Sequence, residues 1–353
     1  MKILSFGAGA IGTYIGGSLA HAGHEVVFLE RPETAATLQS KGLQLVIDGQ
    51  VIGLKEPPVV SSLADALQMG PYTVALFALK SYDTQTAVAE MAPFEAELPP
   101  ILCLQNGVEN EAVLADALGA KKVIAATVTS AIARSQTGQV ELERLRGVGL
   151  DGNHLLAQEL AQAMNAAGLN ARLYVHPADM KWSKLLTNLP ANASSAITGM
   201  TPAEIYQHPG LFKLEKAQML EALKVMHSLH LQVVDLPGTP VRAMVFAVQR
   251  LPEKLARGVL TRGIGGGRGG KMPSFYLDLH SGRGQSEVAY LNGAIVRAGE
   301  QVGIPTPANR VLTETLMALV QQTEPLEQYA HQPERLIQRY QQTNSNSETD
   351  IDA

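Results

Sequence analysis

The feature that most constrains the fold is a glycine cluster near the start of the chain. It reads GAGAIG, follows the apolar run KILSF, which predicts a strand, and opens AIGTYIGGSLAHAG, which predicts a helix. G-x-G-x-x-G spacing between a strand and a helix predicts a β-α turn that holds the diphosphate of a dinucleotide at the positive end of the helix. The predicted cofactor contacts in this turn are Gly7, Ala8, Gly9, Ala10, Ile11 and Gly12.

The rest of the first half repeats this alternation of short apolar runs and helical patterns, with a hairpin predicted around Gly49. Such alternation predicts an α/β domain with a doubly wound, mostly parallel sheet of the Rossmann type. Beyond it, long helical patterns with almost no strand signal predict an all-helical C-terminal domain. We expect a dinucleotide-binding domain over residues 1–178, a helical substrate domain over 179–330, and a tail over 331–353 whose polar end is disordered.

The charge balance gives no reason to expect nucleic acid or a membrane surface as a partner. Lysine and arginine number 28, aspartate and glutamate 33, and the two signs are interspersed.

The N-terminal apolar run is too short for a signal peptide, and no stretch approaches the roughly 20 apolar residues of a membrane span. We therefore expect a cytoplasmic protein, and its long helices suit a homodimer contact. We predict no metal site, because there is one cysteine and because His227 and His230 have no third ligand nearby.

The end of the second predicted strand bears on the choice of dinucleotide. An acidic residue there binds the ribose 2′-hydroxyl of NAD, whereas an arginine accommodates the 2′-phosphate of NADP. This chain has Glu30 followed directly by Arg31, so these two residues leave both cofactors open.

Three polar residues stand four apart in the helical pattern DMKWSKLLTNLPANASSAITG: Lys184, Asn188 and Asn192. This spacing predicts that they share one face of a single helix. Asparagine is a poor helix former, so a polar pocket is favoured over a solvated stripe. Reduction of a ketone needs a proton donor, and a partly buried lysine can serve. Ser274 and Glu287 form a second candidate group, for a substrate carboxylate and for pairing with Lys184.

A second glycine cluster, GGGRGGKMPS, has the glycine and lysine spacing of a P-loop. Methionine follows Lys271 where a P-loop needs serine or threonine, and the surrounding pattern is helical, so a nucleotide site is not predicted there. We expect residues 265–270 to form a flexible hinge or lid that ends at Ser274, with Arg268 and Lys271 as anion contacts.

Taken together, these motifs resemble those of the 2-dehydropantoate 2-reductase, or ketopantoate reductase, family. The resemblance covers about residues 1–325 and rests on ordered landmarks: GAGAIG, LERP, ALKSYD, LQNGVEN, KLLTNLPAN, PSFYLDL, SEVAYLNG and GIPTP. It implies a Rossmann domain followed by a helical domain, and the NADPH-dependent reduction of 2-dehydropantoate to (R)-pantoate in pantothenate and coenzyme A biosynthesis. It also implies a small 2-keto acid as the substrate. The resemblance favours NADPH, while Glu30 keeps NAD open.

The resemblance also implies a role for each matching residue. Arg31 falls on the position that binds the 2′-phosphate, Lys80 on a cofactor-side lysine, and Asn106 beside the nicotinamide ribose and the substrate. Lys184 resembles the general acid. The remaining roles are substrate hydrogen bonds from Asn188 and Asn192, carboxylate binding by Ser274, and contact with the substrate's hydroxyl end, the cofactor and the lysine by Glu287.

Three other functions remain open. The chain could reduce another branched 2-keto acid. It could be a β-hydroxyacid dehydrogenase, although the lead-in HPADMKWSK lacks the glycine-rich helix start typical of that class. A non-catalytic NADP-sensing protein is the third, and it would not need Lys184, Asn188, Ser274 and Glu287 together.

Overall fold

The computed structural model describes residues 1–261 and 271–349, and the chain packs as two units. The first comprises Met1–Lys181 with the short segment Asp235–Thr239, and the second comprises Trp182–Val234 and the chain from Pro240 onward. The division falls just past the predicted boundary at residue 178. The predicted lid over residues 265–270, with Arg268, lies outside the described residues.

All strands of the described residues lie in the first unit, in two sheets. Their bounds are β1 Lys2–Phe6, β2 Glu25–Leu29, β3 Leu43–Ile47, β4 Gln50–Leu54, β5 Val59–Val60, β6 Val74–Phe77, β7 Ile101–Cys103, β8 Val123–Val128, β9 Ala131–Gln136, β10 Gln139–Arg144, β11 Val148–Asp151 and β12 Ala171–Tyr174. The helices of this unit are α1 Ala10–His21, α2 Pro32–Lys41, α3 Leu63–Gln68, α4 Thr84–Met91, α5 Asn110–Leu118 and α6 Ala157–Ala166.

The main sheet has eight strands in the order β12-β11-β8-β7-β6-β1-β2-β5. Every neighbouring pair is parallel except β8 and β11. Successive residues of β1 and β6 enter different core clusters: Ile3 and Leu76 lie in one, Leu4 and Phe77 in the other. Burial on both faces is what a parallel sheet covered by helices requires. The doubly wound, mostly parallel sheet predicted from the sequence is confirmed.

A second, four-stranded sheet has the order β4-β3-β10-β9. Strands β3 and β4 form the predicted hairpin, with Asp48 and Gly49 at positive φ values of 49° and 76° in the turn. Two positive φ values in a two-residue turn match the twist of a hairpin. Strand β9, which the sequence pattern does not predict, is exposed over its second half and pairs antiparallel with β10.

The second unit is helical. The helices from the end of the first unit onward are α7 Pro177–Asn188, α8 Ala193–Thr198, α9 Pro202–Gln207, α10 Pro209–Ser228, α11 Val241–Arg250, α12 Glu253–Leu260, α13 Ser274–His280, α14 Asn292–Gln301, α15 Pro307–Val320 and α16 Pro333–Thr349. A 3₁₀ turn, Glu287–Tyr290, precedes α14. The predicted helical C-terminal domain is confirmed.

The prediction of one continuous helix through Lys184, Asn188 and Asn192 is wrong. Helix α7 ends at Asn188 and α8 begins at Ala193. Pro190 has no N–H for a helical hydrogen bond, and its ring clashes with the preceding turn. Ala191 adopts a φ of 51°, in the left-handed region, and the chain changes direction there. Asn192 becomes the N-cap residue of α8 instead of a third residue on the α7 face.

The C-terminal tail also differs from expectation, because residues 341–349 are helical and continue α16. The first half of α16 is anchored: Leu336 is fully buried, and the Arg339 guanidinium lies 2.8 Å from the Glu324 carboxylate and 2.9 Å from the Tyr329 hydroxyl. Extending a helix that is already anchored costs little, since nucleation is the unfavourable step. Residues 350–353 lie outside the described range.

Candidate functional site

The glycine turn after β1 has the geometry that its sequence predicts. Gly7 has a φ of 90°, and its N–H donates to the Leu29 carbonyl at 3.0 Å. A Cβ at Gly12 would lie 2.0 Å from the Gly7 carbonyl oxygen, so only glycine allows α1 to pack this closely. A Cβ at Gly9 would meet nothing within 4 Å, so this side of the turn is open. The turn therefore combines tight packing on one side with the room that a diphosphate needs on the other.

Glu30 reaches back to this turn. Its Oε1 accepts the Ala8 N–H at 2.5 Å, and its Oε2 accepts the Arg31 N–H at 3.2 Å. The carboxylate thus lies at the carboxyl edge of the sheet, where strand β2 ends. Arg31 is held far more loosely: its side chain is 77% exposed, and its guanidinium lies 3.4 Å from Asp83. The sequence predicts that both residues lie at the cofactor, but no pattern in it shows that Glu30 bonds to the glycine turn itself.

A cavity of about 560 Å³ opens in the first unit beside the glycine turn. Its size falls in the usual range for ligand pockets. The ends of β1 and β2 contribute Gly7, Glu30 and Arg31, and the segment after β6 contributes Asp83 and Glu90. Three carboxylates and one guanidinium at the lining suit a nucleoside with free ribose hydroxyls or, through the arginine, a phosphate on that ribose.

Lys80 and Asn106 occupy adjacent loops at the carboxyl ends of β6 and β7. The Ser81 hydroxyl and the Asn110 amide donate to the Asn106 carbonyl at 3.0 Å and 2.7 Å. The Gln105 amide donates to the Lys80 carbonyl at 3.1 Å. These hydrogen bonds fix the backbone of both predicted cofactor residues to each other.

Lys181 supports the same loop and is not singled out by the sequence pattern. Its side chain is 5% exposed, its Nζ donates to the Gln105 carbonyl at 2.7 Å, and it lies 2.6 Å from the Glu111 carboxylate. Burial is the largest single influence and lowers the pKa of Lys181, but the charge and hydrogen bond of Glu111, together with Cys103, raise it by more, so this pKa lies above its ordinary value. Lys181 is therefore a fixed cation that binds the backbone beside Asn106. The one hint in the sequence is a lysine in the apolar stretch just before Lys184.

The second unit brings together the predicted general acid and three predicted substrate-binding residues. The Lys184 ammonium donates to Asn188 Oδ1 at 3.0 Å, as expected for residues one turn apart on α7. The Asn192 amide donates to the Asn188 carbonyl at 3.1 Å and to the Ser274 hydroxyl at 3.3 Å. Asn192 Oδ1 accepts the Phe275 N–H at 3.1 Å. The break after α7 therefore does not scatter the residues; it turns Asn192 toward the start of α13.

Glu287, the fifth predicted residue, is 4% exposed at the start of its 3₁₀ turn. Its N–H donates to Asp278 Oδ2 at 3.1 Å, and this bond ties the turn to α13, the helix that begins at Ser274. No pattern in the sequence marks Asp278. The pairing of Glu287 with Lys184 stays a prediction.

Within residues 1–261 and 271–349, no group of three or more histidine, cysteine, aspartate and glutamate side chains is arranged to hold a metal ion. Over the same ranges, every helix is too short or too polar to cross a membrane.

Comparison with known proteins gives the same family for both halves of the chain. The family model described as Ketopantoate reductase PanE/ApbA matches residues 3–150, and its C-terminal counterpart matches residues 178–320. A 2-dehydropantoate 2-reductase of Archaeoglobus fulgidus is 28% identical over 88% of this chain and 95% of its own length. One of Mesorhizobium japonicum is 28% identical over 91% and 97%.

Solved structures agree. The crystal structure of a PanE/ApbA family ketopantoate reductase from Ralstonia eutropha has a TM-score of 0.75 and 30% identity, covering 91% of this chain and 99% of that one. D-mandelate dehydrogenase, solved with NADH and anilino(oxo)acetate, shares the fold with a TM-score of 0.74 at 21% identity, covering 91% and 99%. With matching family models over both halves, the chain belongs to the ketopantoate reductase family.

Proposed function

We propose that this chain reduces 2-dehydropantoate to (R)-pantoate with NADPH, a step of pantothenate and coenzyme A biosynthesis. The observation that carries the proposal is the connected set Lys184, Asn188, Asn192 and Ser274 in a chain of this family. It offers an ammonium as a proton donor and amide and hydroxyl groups for a carboxylate, which together are the needs of a 2-keto acid reductase. A cytoplasmic location and a homodimer stay predictions of the sequence.

In this proposal Lys184 protonates the keto oxygen. A nicotinamide held by the first unit would supply the hydride for the carbonyl carbon, and negative charge would then develop on the keto oxygen. The Lys184 ammonium stabilises that charge and gives up its proton there. Asn188 Oδ1, 3.0 Å from Nζ, orients the ammonium. Asn192 and Ser274 donate to the substrate carboxylate, and Glu287 accepts from the substrate hydroxyl and holds the lysine.

The glycine turn, Lys80 and Asn106 bind the cofactor in the same proposal. Arg31 supports NADPH, because its guanidinium is 77% exposed, lies 3.4 Å from Asp83 and can turn toward a 2′-phosphate. NADH is the second candidate, favoured by the Glu30 carboxylate at the turn and by Asp83 and Glu90 at the cavity lining. A 2′-phosphate would meet repulsion from those carboxylates.

The test is NADPH and NADH oxidation by the intact chain with 2-dehydropantoate and a panel of other 2-keto acids. The panel includes phenylglyoxylate, since D-mandelate dehydrogenase shares the fold. We expect the highest kcat/KM for 2-dehydropantoate with NADPH and (R)-pantoate as the product. A higher kcat/KM for another keto acid would identify that acid as the substrate instead of 2-dehydropantoate. If no keto acid is reduced, the chain is a non-catalytic dinucleotide-binding protein.

A further inference from the structure

The break between α7 and α8 leaves buried polar groups that need partners. Ala191 is fully buried at a φ of 51°, and it lies between the end of α7 and the start of α8, outside the hydrogen-bond pattern of either helix. Ser194, in the first turn of α8, is fully buried as well. Buried donors of this kind destabilise the fold unless an acceptor is supplied from elsewhere.

Glu215 of α10 supplies that acceptor. Its side chain is 2% exposed. Oε2 accepts the Ala191 N–H at 2.7 Å and the Gln218 amide at 2.8 Å, and Oε1 accepts the Ser194 hydroxyl at 2.6 Å. Three short hydrogen bonds to one carboxylate are the condition under which a buried charge is tolerated.

The segment held by Glu215 carries Asn192. Asn192 follows Ala191 directly and bonds on one side to the Asn188 carbonyl and on the other to the Ser274 hydroxyl and the Phe275 N–H. Because Ala191 and Ser194 flank Asn192, the Glu215 carboxylate fixes the backbone on both sides of it. The position of Asn192 relative to Asn188 and Ser274 therefore depends on a residue that belongs to none of the predicted sites.

We propose that Glu215 is a positioning residue for the keto acid site: its carboxylate holds the Asn188–Asn192 break so that Asn192 and Ser274 face the substrate carboxylate together. This inference rests on the proposed function. Glu215 acts through Ala191 and Ser194 and does not touch the substrate. It belongs to the substrate half of the site, so the binding of the dinucleotide is independent of it.

Glu221 provides a matched control on the same helix. It is also a buried glutamate of α10, and its carboxylate accepts the N–H groups of Ala308 and Asn309 at 2.8 Å and 3.0 Å, at the start of α15. Loss of either carboxylate leaves buried donors without an acceptor. Only Glu215 bonds to the break.

The experiment compares Glu215→Leu, Glu215→Gln, Ser194→Ala and Glu221→Leu in the full chain. It measures kcat, KM for 2-dehydropantoate, KM for NADPH and amide hydrogen exchange over residues 189–195. For Glu215→Leu we expect the keto acid KM to rise roughly 10- to 100-fold, since small misplacements cost this much. Its KM for NADPH stays unchanged and exchange over the break becomes faster. Glu215→Gln keeps an acceptor for the Ala191 N–H, so we expect its keto acid KM to stay close to that of the unaltered chain.

Ser194→Ala removes a single donor to Glu215, so it tests the same inference if Glu215→Leu does not fold. For Ser194→Ala we expect a smaller rise in the keto acid KM and faster amide exchange over residues 189–195. Glu221→Leu should lose stability with the keto acid KM unchanged. Equal KM changes in the Glu215 and Glu221 variants, or unchanged exchange over the break in Glu215→Leu and Ser194→Ala, would overturn the inference. If the unaltered chain reduces no keto acid, the proposed function fails, and exchange alone still tests whether Glu215 holds the break.

Discussion

At the scale of single residues, two glycines of one motif are required for different physical reasons. Gly12 is fixed by packing, because the space for a side chain is filled by the Gly7 carbonyl. Gly9 is not fixed by packing, because a side chain there would project into open space. The fold thus explains Gly12, whereas the open space at Gly9 fits the diphosphate of the proposed dinucleotide.

These reasons predict opposite behaviour for two alanine substitutions. Gly12→Ala puts a Cβ where the distance to a backbone oxygen is 2.0 Å, so we expect a clear fall in Tm and loss of dinucleotide binding. Gly9→Ala should keep the Tm and bind NADPH more weakly, because the methyl group occupies space that the diphosphate needs. Thermal unfolding and NADPH fluorescence titration measure both. A Gly12→Ala protein with an unchanged Tm would contradict the close packing of α1.

Arg31 allows a test of the cofactor. If its guanidinium pairs with a 2′-phosphate, Arg31→Ala should raise the KM for NADPH by roughly 10- to 100-fold, the loss expected for hydrogen bonds between charged groups. The KM for NADH should stay the same and serves as the internal control. Equal changes for both cofactors would show that Arg31 does not read the phosphate, and would favour the NADH alternative through Glu30.

At the scale of elements, the sequence predicts most of the fold because the positions of apolar residues along it match the faces that each strand and helix buries. Strands β1 and β6 are short apolar runs with both faces buried, and α10 has a regular amphipathic pattern. The two wrong predictions concern the helix after Lys184 and the C-terminal tail. In the first, a proline outweighs the apolar pattern around it; in the second, a contact with a distant residue outweighs the polar local sequence. Pro190 was present in the predicted helix, but the apolar pattern on both sides of it appeared continuous. The end of α16 is polar and has no apolar pattern that would predict a helix. The helix is held instead by the ion pair between Arg339 and Glu324, which local sequence does not show.

The sequence singles out four residues that lie together in the second unit, but it does not predict how they are arranged. Lys184 and Asn188 interact as their spacing on α7 predicts. Asn192 also joins them, but through a break and a helix N-cap that spacing cannot show. Glu215 and Lys181 were missed because their roles depend on partners far along the chain, Ala191 and Gln105, and no local pattern marks such pairs.

The buried Glu221, at the contact between α10 and α15, should make the stability of the fold depend on pH. Burial raises its pKa to about 7, against the lowering effect of the Asn309 and Ala308 N–H groups, the Asn309 amide and Lys224. Between pH 4.5, its ordinary pKa, and pH 7, the unfolded chain loses this proton while the folded chain keeps it. The free energy of unfolding should therefore fall by about 3 kcal/mol over this interval on account of Glu221.

Glu221→Gln should remove that decrease. Urea unfolding of both proteins at several pH values between 4 and 8 isolates the effect, since the other titrating groups are common to both. We expect the two curves of stability against pH to converge or cross as the pH rises toward 7. Parallel curves would mean that Glu221 titrates normally.

At the scale of the whole molecule, the two units divide the proposed chemistry. The first holds the glycine turn, the cavity beside it and the Lys80 and Asn106 loops; the second holds Lys184 and the residues bonded to it. The chain does not simply leave the first unit at residue 181. It returns at Asp235–Thr239, where the Pro237 carbonyl accepts the Thr129 hydroxyl at 2.9 Å and the Asp235 carbonyl accepts the Tyr174 hydroxyl at 2.9 Å. A fragment that ends at residue 178 therefore lacks part of the first unit.

The central claim is that Lys184 protonates a keto acid while the chain holds NADPH. The most direct measurement is the rate of NADPH oxidation with saturating 2-dehydropantoate in Lys184→Ala, beside Lys213→Ala, an exposed lysine of α10, as the control. We predict that kcat falls roughly 10²- to 10⁴-fold in Lys184→Ala, the usual contribution of a general acid, with NADPH affinity and Tm retained. Lys213→Ala should match the unaltered chain. A Lys184→Ala protein that turns over at the unaltered rate would contradict the account.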